Sequence, residues 1–214
     1  MQIAIPLFDR VTALDAVGPY EVLQRLPGAE VVFVGEALGS VRTEYGYLGL
    51  CVDATLADVP RPDVVVVPGG FGTRPLAADP SHPVVTWVRD AHPGTRFTTS
   101  VCTGSLVLAA AGLLQGVTAT THWVADDELA ALGAIPTSQR VVEHLESRLI
   151  TAAGVSSGID MGLRLAELLA DRLTAEAVQL MIEYDPQPPF AAGNRATASD
   201  ALMARVAECW AAKR

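Results

Sequence analysis

The sequence predicts an α/β fold: a parallel sheet with helices on both faces, in one domain covering residues 1–214. Three observations carry this. Strand-like and helix-like segments alternate over most of the chain. Val64-Val65-Val66-Val67 is a run of four β-branched residues, the pattern of a strand covered on both faces. Half of the 214 residues are hydrophobic, with no composition break and no repeat, so one large core is within reach.

Each element has its own signal. Ile3–Phe8 is a short apolar run and reads as a buried strand. Thr12–Leu26 has helical spacing, with Leu14, Val17, Val22 and Leu23 on a shared face. Ala29–Val34 is a second strand. Val41–Ala54 alternates loosely around Gly46 and predicts a hairpin. The Val64–Val67 strand stops at Pro68-Gly69-Gly70. Pro83–Ala91 is a short helix, Arg96–Val101 a strand, and Thr103–Leu114 a helix closed before Gly116. Ala119-Thr120 is a short strand and His122–Leu132 a helix. Val141-Val142 and Leu149–Ala152 are strands. Gly158–Ala170 and Ala175–Glu183 are helices. A Pro-rich loop, 184–194, leads to an amphipathic helix over Ala198–Ala212.

Composition excludes several classes of function. Net charge is −9, with no basic run and no aromatics interleaved with Lys or Arg, so nucleic acid is not an expected partner. The apolar stretches are too short to span a bilayer, so no membrane partner is expected. The N-terminus has neither a basic start nor a small-residue cleavage site, and a cytoplasmic location is expected. Cys51, Cys102 and Cys209 are an odd count without metal-like spacing, which predicts free thiols and no metal site.

The informative segment runs from Phe97 to Leu114. A β-prone run meets Cys102, and a helix of small residues follows at once. A residue there projects into the crevice at the carboxyl ends of the strands, where open α/β sheets bind ligands. The helix terminus favours a thiolate and offers N–H groups to developing negative charge. Gly104 and Ser105 are small enough for a sharp elbow. The competing reading is a buried cysteine acting as a small hydrophobe. Pro68-Gly69-Gly70-Phe71-Gly72 opens onto the same edge, without the spacing of a dinucleotide or Walker loop. Asp15 follows the first strand and either caps the first helix or faces the crevice.

The stretch from Ser100 to Gly116, continuing to Thr120-Thr121-His122-Trp123, resembles the PfpI superfamily, and within it the isocyanide hydratase family. Leu14-Asp15 with Gly18-Pro19, Pro68-Gly69-Gly70, Leu132-Gly133-Ala134-Ile135-Pro136 and Pro188-Pro189-Phe190 extend the resemblance over nearly the whole chain. It implies a flavodoxin-like, doubly wound fold with a cysteine nucleophile elbow, and a homodimer. Cys102 becomes the reactive residue and Asp15 its carboxyl partner. Gly70 and Thr103 become sources of N–H groups near the reacting atom. His122 and Phe190 are possible pocket residues, His122 being equally able to cap its helix.

Thr103 stands where the superfamily's protease-like members have His, which argues against peptidase activity. Asp15 stands where the deglycase and glyoxalase branches place Glu. The reaction implied is hydration of an isocyanide to an N-substituted formamide through a thioimidate on Cys102, with a small-molecule substrate and no cofactor. Two alternatives stay open: a ligand-binding or oxidation-sensing protein using the same thiol, and glyoxalase or deglycase action on reactive carbonyls.

Overall fold

The structure is a computed structural model that describes residues 1–213. The chain forms two compact units, Met1–Ile182 and Glu183–Arg214. The first unit holds the sheet. Its elements are, in order, β1 (Gln2–Pro6), α1 (Ala13–Leu23), β2 (Glu30–Gly35), β3 (Gly39–Arg42), β4 (Gly49–Val52), β5 (Ala54–Thr55), β6 (Val64–Val67), α2 (Thr73–Ala78), α3 (Pro83–Ala91), β7 (Phe97–Val101) and α4 (Gly104–Ala110). There follow β8 (Thr118–Ala119), α5 (Asp126–Ala131), β9 (Ile135–Pro136), β10 (Val141–His144), β11 (Leu149–Ala152), α6 (Ser157–Leu169) and α7 (Arg172–Met181). The second unit contains α8 (Asp200–Ala211), where Ser199 accepts the Leu202 N–H at 3.2 Å as an N-cap; no residue of α8 is buried.

Seven strands form the main sheet in the order β10-β11-β7-β6-β1-β2-β5. All neighbours are parallel except β10 with β11. The doubly wound fold expected from the sequence is therefore present, with one antiparallel edge. After β1 the chain builds β2 and β5 on one side, then β6, β7 and β11 on the other. The order reverses between β1 and β6, the place where open α/β sheets bind ligands at the carboxyl ends of the strands.

The Val64–Val67 run is buried throughout and splits between two cores. Val65 and Val67 join Ala4, Val84, Val88, Leu106 and Leu114 on one face. Val64 and Val66 join Ile3, Ile5, Leu23, Met161 and Leu165 on the other. Alternate residues of a strand face opposite sides, so only an all-apolar strand satisfies both layers. On the second face α1 and α6 pack closely because glycines meet there. A Cβ on Gly18 would fall 3.2 Å from Ile159, and one on Gly162 would fall 3.2 Å from Val22. This contact fixes α1, and with it Asp15, over the end of the sheet.

The hairpin forms as β3 and β4 around the turn at 43–48. The helix expected over Thr103–Leu114 ends at Ala110 and continues as turns. The one expected over His122–Leu132 begins with a 3-10 turn, Trp123–Ala125. Three of these strands and helices lack a sequence signal: α2, which contains Pro75, and the two-residue strands β5 and β9.

Candidate active site

Cys102 sits directly after β7 with φ +56°, in the left-handed region that a non-glycine residue enters at a cost of roughly 1–3 kcal/mol. The turn is held from several directions. Its N–H donates to Ala152 O and Ala153 O, each at 3.0 Å. Its carbonyl accepts the Thr121 hydroxyl at 3.1 Å and the Ser105 hydroxyl at 3.2 Å. Gly104 has no alternative, because a Cβ there would collide with Val67 O. The result is a cysteine elbow whose side chain is only 5% exposed.

Asp15 is fully buried in the first turn of α1. The N-cap position belongs to Thr12, so Asp15 is not the cap. Its Oδ2 accepts the Gly69 N–H at 3.0 Å, across the point where the strand order reverses. The Cys102 thiol is a side-chain partner of the same carboxyl. Oδ1 is buried and carries no nitrogen or oxygen partner among the described residues. Burial pushes the Asp15 acid up to about 7, outweighing the Gly69 N–H and the thiol, which favour ionisation; the Glu44 charge raises it further.

Burial also pushes the Cys102 thiol up, and a charge on Asp15 adds to this. The N–H groups of Val155 and Thr103 work in the opposite direction. The thiolate-favouring helix terminus expected from the sequence is therefore outweighed by desolvation. The two groups are coupled: once Asp15 has lost its proton, the Cys102 thiol holds its own more tightly.

Val155 was not legible as a site residue. It has φ +36°, a strained conformation for a β-branched side chain, and it presents its N–H to the Cys102 sulfur. Gly69 was also missed, although it stands in the Pro68-Gly69-Gly70 motif. A Cβ on Gly69 would lie 2.6 Å from Thr103 N and 2.8 Å from Asp15 Oδ2, so only glycine lets these groups meet. Gly70, expected to donate to the reacting atom, instead gives its N–H to Thr103 Oγ1 at 2.9 Å. Its φ of +135° and its contact with Arg10 O require glycine for structural reasons. Thr103 does present its N–H to the thiol, while its hydroxyl is occupied with Gly70.

His122 caps a turn: Nδ1 accepts the Val124 N–H at 3.3 Å. Its ring packs where a Gly154 Cβ would be, 2.6 Å from Cδ2, and so supports the loop carrying Val155. Burial, and then the Arg74 charge, lower the pKa of the ring. Phe190 lies in the second unit and is 77% exposed. Cys51 and Cys209 are exposed free cysteines. Among the described residues no group of His, Cys, Asp and Glu is placed to hold a metal ion, and no helix is long and apolar enough to cross a membrane.

A strained cysteine after β7 thus has as its partner a carboxyl from the first turn of α1. Residues 1–168 match the DJ-1/PfpI family. The chain belongs to the DJ-1/PfpI family. It is 46% identical over 203 residues to the isonitrile hydratase of Pseudomonas putida, covering 95% of this chain and 87% of that protein. The solved structure of a THiJ/PfpI family protein from Pseudomonas syringae superposes with a TM-score of 0.90 at 40% identity, over 98% of this chain and 86% of that one. Drosophila melanogaster DJ-1beta shares the fold, with a TM-score of 0.75 at 24% identity over 85% of this chain and 97% of that one. As a DJ-1/PfpI member, the chain carries its thiol where the sheet's strand ends converge.

Proposed function

We infer that this chain hydrates an organic isocyanide, R–NC, to the formamide R–NH–CHO, with Cys102 as nucleophile and Asp15 as proton carrier. The observation that carries the reading is the buried Asp15–Cys102 pair, one carboxyl oxygen held by Gly69 and the other without a nitrogen or oxygen partner. The 46% identity to an isonitrile hydratase supports the substrate class, isonitrile being another word for isocyanide.

The pair works while it holds one proton. Cys102 as thiolate attacks the terminal carbon and forms the C–S bond. The electron pair released on that carbon takes the Asp15 proton, giving the thioimidate R–N=CH–S–Cys102. Asp15, now a carboxylate, removes a proton from water as the water oxygen bonds to the same carbon, and passes that proton to the nitrogen. Breaking the C–S bond releases R–NH–CHO and restores the thiolate as the proton of the new hydroxyl passes to Asp15, which returns to its acid form. One isocyanide and one water give one formamide. The covalent step divides one difficult addition into two easier ones. An acid with a pKa near 7 can both give and take a proton at neutral pH, as this sequence requires. The N–H groups of Thr103 and Val155 stabilise sulfur while it carries negative charge.

The reading is tested by following cyclohexyl isocyanide and, separately, methylglyoxal with the purified protein by NMR. Formamide appears with the wild type and not with Cys102→Ala. Consumption of methylglyoxal with isocyanide untouched would overturn the reading in favour of carbonyl chemistry. The burial of Cys102 speaks against the oxidation-sensing alternative, which calls for an accessible, acidic thiol.

A further inference from the structure

Between β11 and α6 the chain crosses residues 153–156, and the strained Val155 lies among them. Cys102 turns against this loop: its N–H donates to the carbonyls of Ala152 and Ala153, each at 3.0 Å. A β-branched residue does not hold φ +36° by itself, so the loop needs a fixed point on either side of Val155.

Arg140, the residue before the edge strand β10, supplies both. Its carbonyl accepts the Ala153 N–H at 2.9 Å, which extends the β10–β11 ladder one step past Ala152. Its side chain reaches the start of α6. There Nη2 donates to Oγ of the N-cap Ser156 at 3.3 Å, and Nε donates to Oδ2 of Asp160 in the first turn. One residue thus grips the loop before Val155 through its main chain and after Val155 through its guanidinium. The His122 ring backs the same loop at Gly154, where a Cβ would fall 2.6 Å from Cδ2.

Arg172 with Glu176 and Arg205 with Glu208 join neighbours on a single helix. The Arg140–Asp160 pair instead spans 20 residues and ties the edge of the sheet to α6. An exposed ion pair adds little to global stability. What this one fixes is local: the path of the chain through Val155.

We propose that Arg140 is a positioning residue for the Cys102 nucleophile: by bracing the 153–156 loop on both sides of Val155, it holds the Ala153 carbonyl and the Val155 N–H against the elbow. Arg140 acts through the loop and not on the reacting atoms. A donor already in place at sulfur needs no reorganisation when negative charge develops there. A slack loop withdraws that donor. For turnover the proposal rests on the hydratase reading; for the state of the thiol it does not.

The pH profile of Cys102 alkylation by iodoacetamide, read by peptide mass mapping, tests the brace without requiring turnover. R140A and D160N both break the guanidinium–carboxylate link, with opposite changes of charge. Through space alone, losing a cation raises the profile of a thiol and losing an anion lowers it. Through the loop, both variants raise it, because both slacken the hold on the Val155 N–H. The expected result is a shift to higher pH in R140A and in D160N, with the double variant shifted no further than the larger single shift. R140K keeps the charge but not the fork that reaches two oxygens, and falls between R140A and the wild type. In turnover, R140A lowers kcat for cyclohexyl isocyanide about threefold to thirtyfold with KM little changed, less than the roughly 10²-fold cost of deleting a donor outright. R172A, which breaks the exposed pair with Glu176, stays at wild-type values in both assays. A D160N profile that moves to lower pH overturns the proposal, as do R140A and D160N profiles that coincide with the wild type. A wild type that makes no formamide defeats the hydratase reading alone, because the alkylation profile is still measured.

Discussion

The Gly69 N–H meets Asp15 Oδ2 at 3.0 Å, joining the loop after β6 to the first turn of α1 across the reversal of the strand order. A side chain on Gly69 would occupy the space of that contact. Gly69→Ala is accordingly expected to displace Asp15 and to lower kcat/KM for an isocyanide by roughly 10²-fold, the usual scale for losing a positioned proton carrier. Gly94→Ala is the matched control, since a Cβ there meets nothing within 4 Å. Steady-state kinetics of the two variants check this, and equal activities contradict it.

Asp15 also leaves a mark on stability. Its folded-state acid is pushed up to about 7 from its ordinary value of 3.8, so between these values the folded chain binds more protons than the unfolded one. Stability is then full below about pH 4 with respect to this group and is lost as pH rises through about 7. The upper bound is on the order of 4 kcal/mol, less whatever the coupled thiol returns. Asp15→Asn removes the dependence. Thermal unfolding from pH 4.5 to 8 should show the wild type losing stability relative to Asp15→Asn as pH increases, and a constant difference contradicts the assignment.

The thiol gives a spectroscopic reading of the same coupling. A charge on Asp15 raises the Cys102 thiol. Asp15→Asn removes that charge, so thiolate absorbance near 240 nm should develop at lower pH than in the wild type. The exposed Cys51 and Cys209 are replaced by Ser in both proteins to leave one signal. A midpoint that stays or rises contradicts the coupling.

Much of this arrangement was legible in the sequence. The Val64–Val67 run announced a doubly covered strand, because only an apolar residue at every position satisfies two cores. Cys102 was visible because a β-prone run meets small residues at once, the local chemistry of an elbow. What escaped was set by tertiary contact. Val155 carries no mark of its role: a β-branched residue ordinarily avoids positive φ, and only the surrounding loop holds it there. Gly69 and Gly70 read alike in sequence, yet one N–H holds Asp15 and the other Thr103. The raised thiol depends on burial in three dimensions, whereas the helix terminus that suggested the reverse is a local feature.

The elbow itself should be sensitive to its anchors. Thr121→Val removes the hydroxyl that donates to Cys102 O at 3.1 Å while keeping the shape of the side chain. The Ser105 hydroxyl still reaches that carbonyl. The expected cost is about 1 kcal/mol of stability with a modest fall in turnover. Chemical denaturation and kinetics check both, and a loss above about 3 kcal/mol contradicts a shared anchor.

The most direct test of the account is the isocyanide turnover of Asp15→Asn. Asn keeps the shape of Asp15 and its acceptor oxygen for the Gly69 N–H, but it cannot carry a proton. The account predicts a loss of roughly 10²-fold or more in kcat/KM, with thermal stability at pH 5 little changed. Formamide production by Asp15→Asn at near the wild-type rate would contradict it.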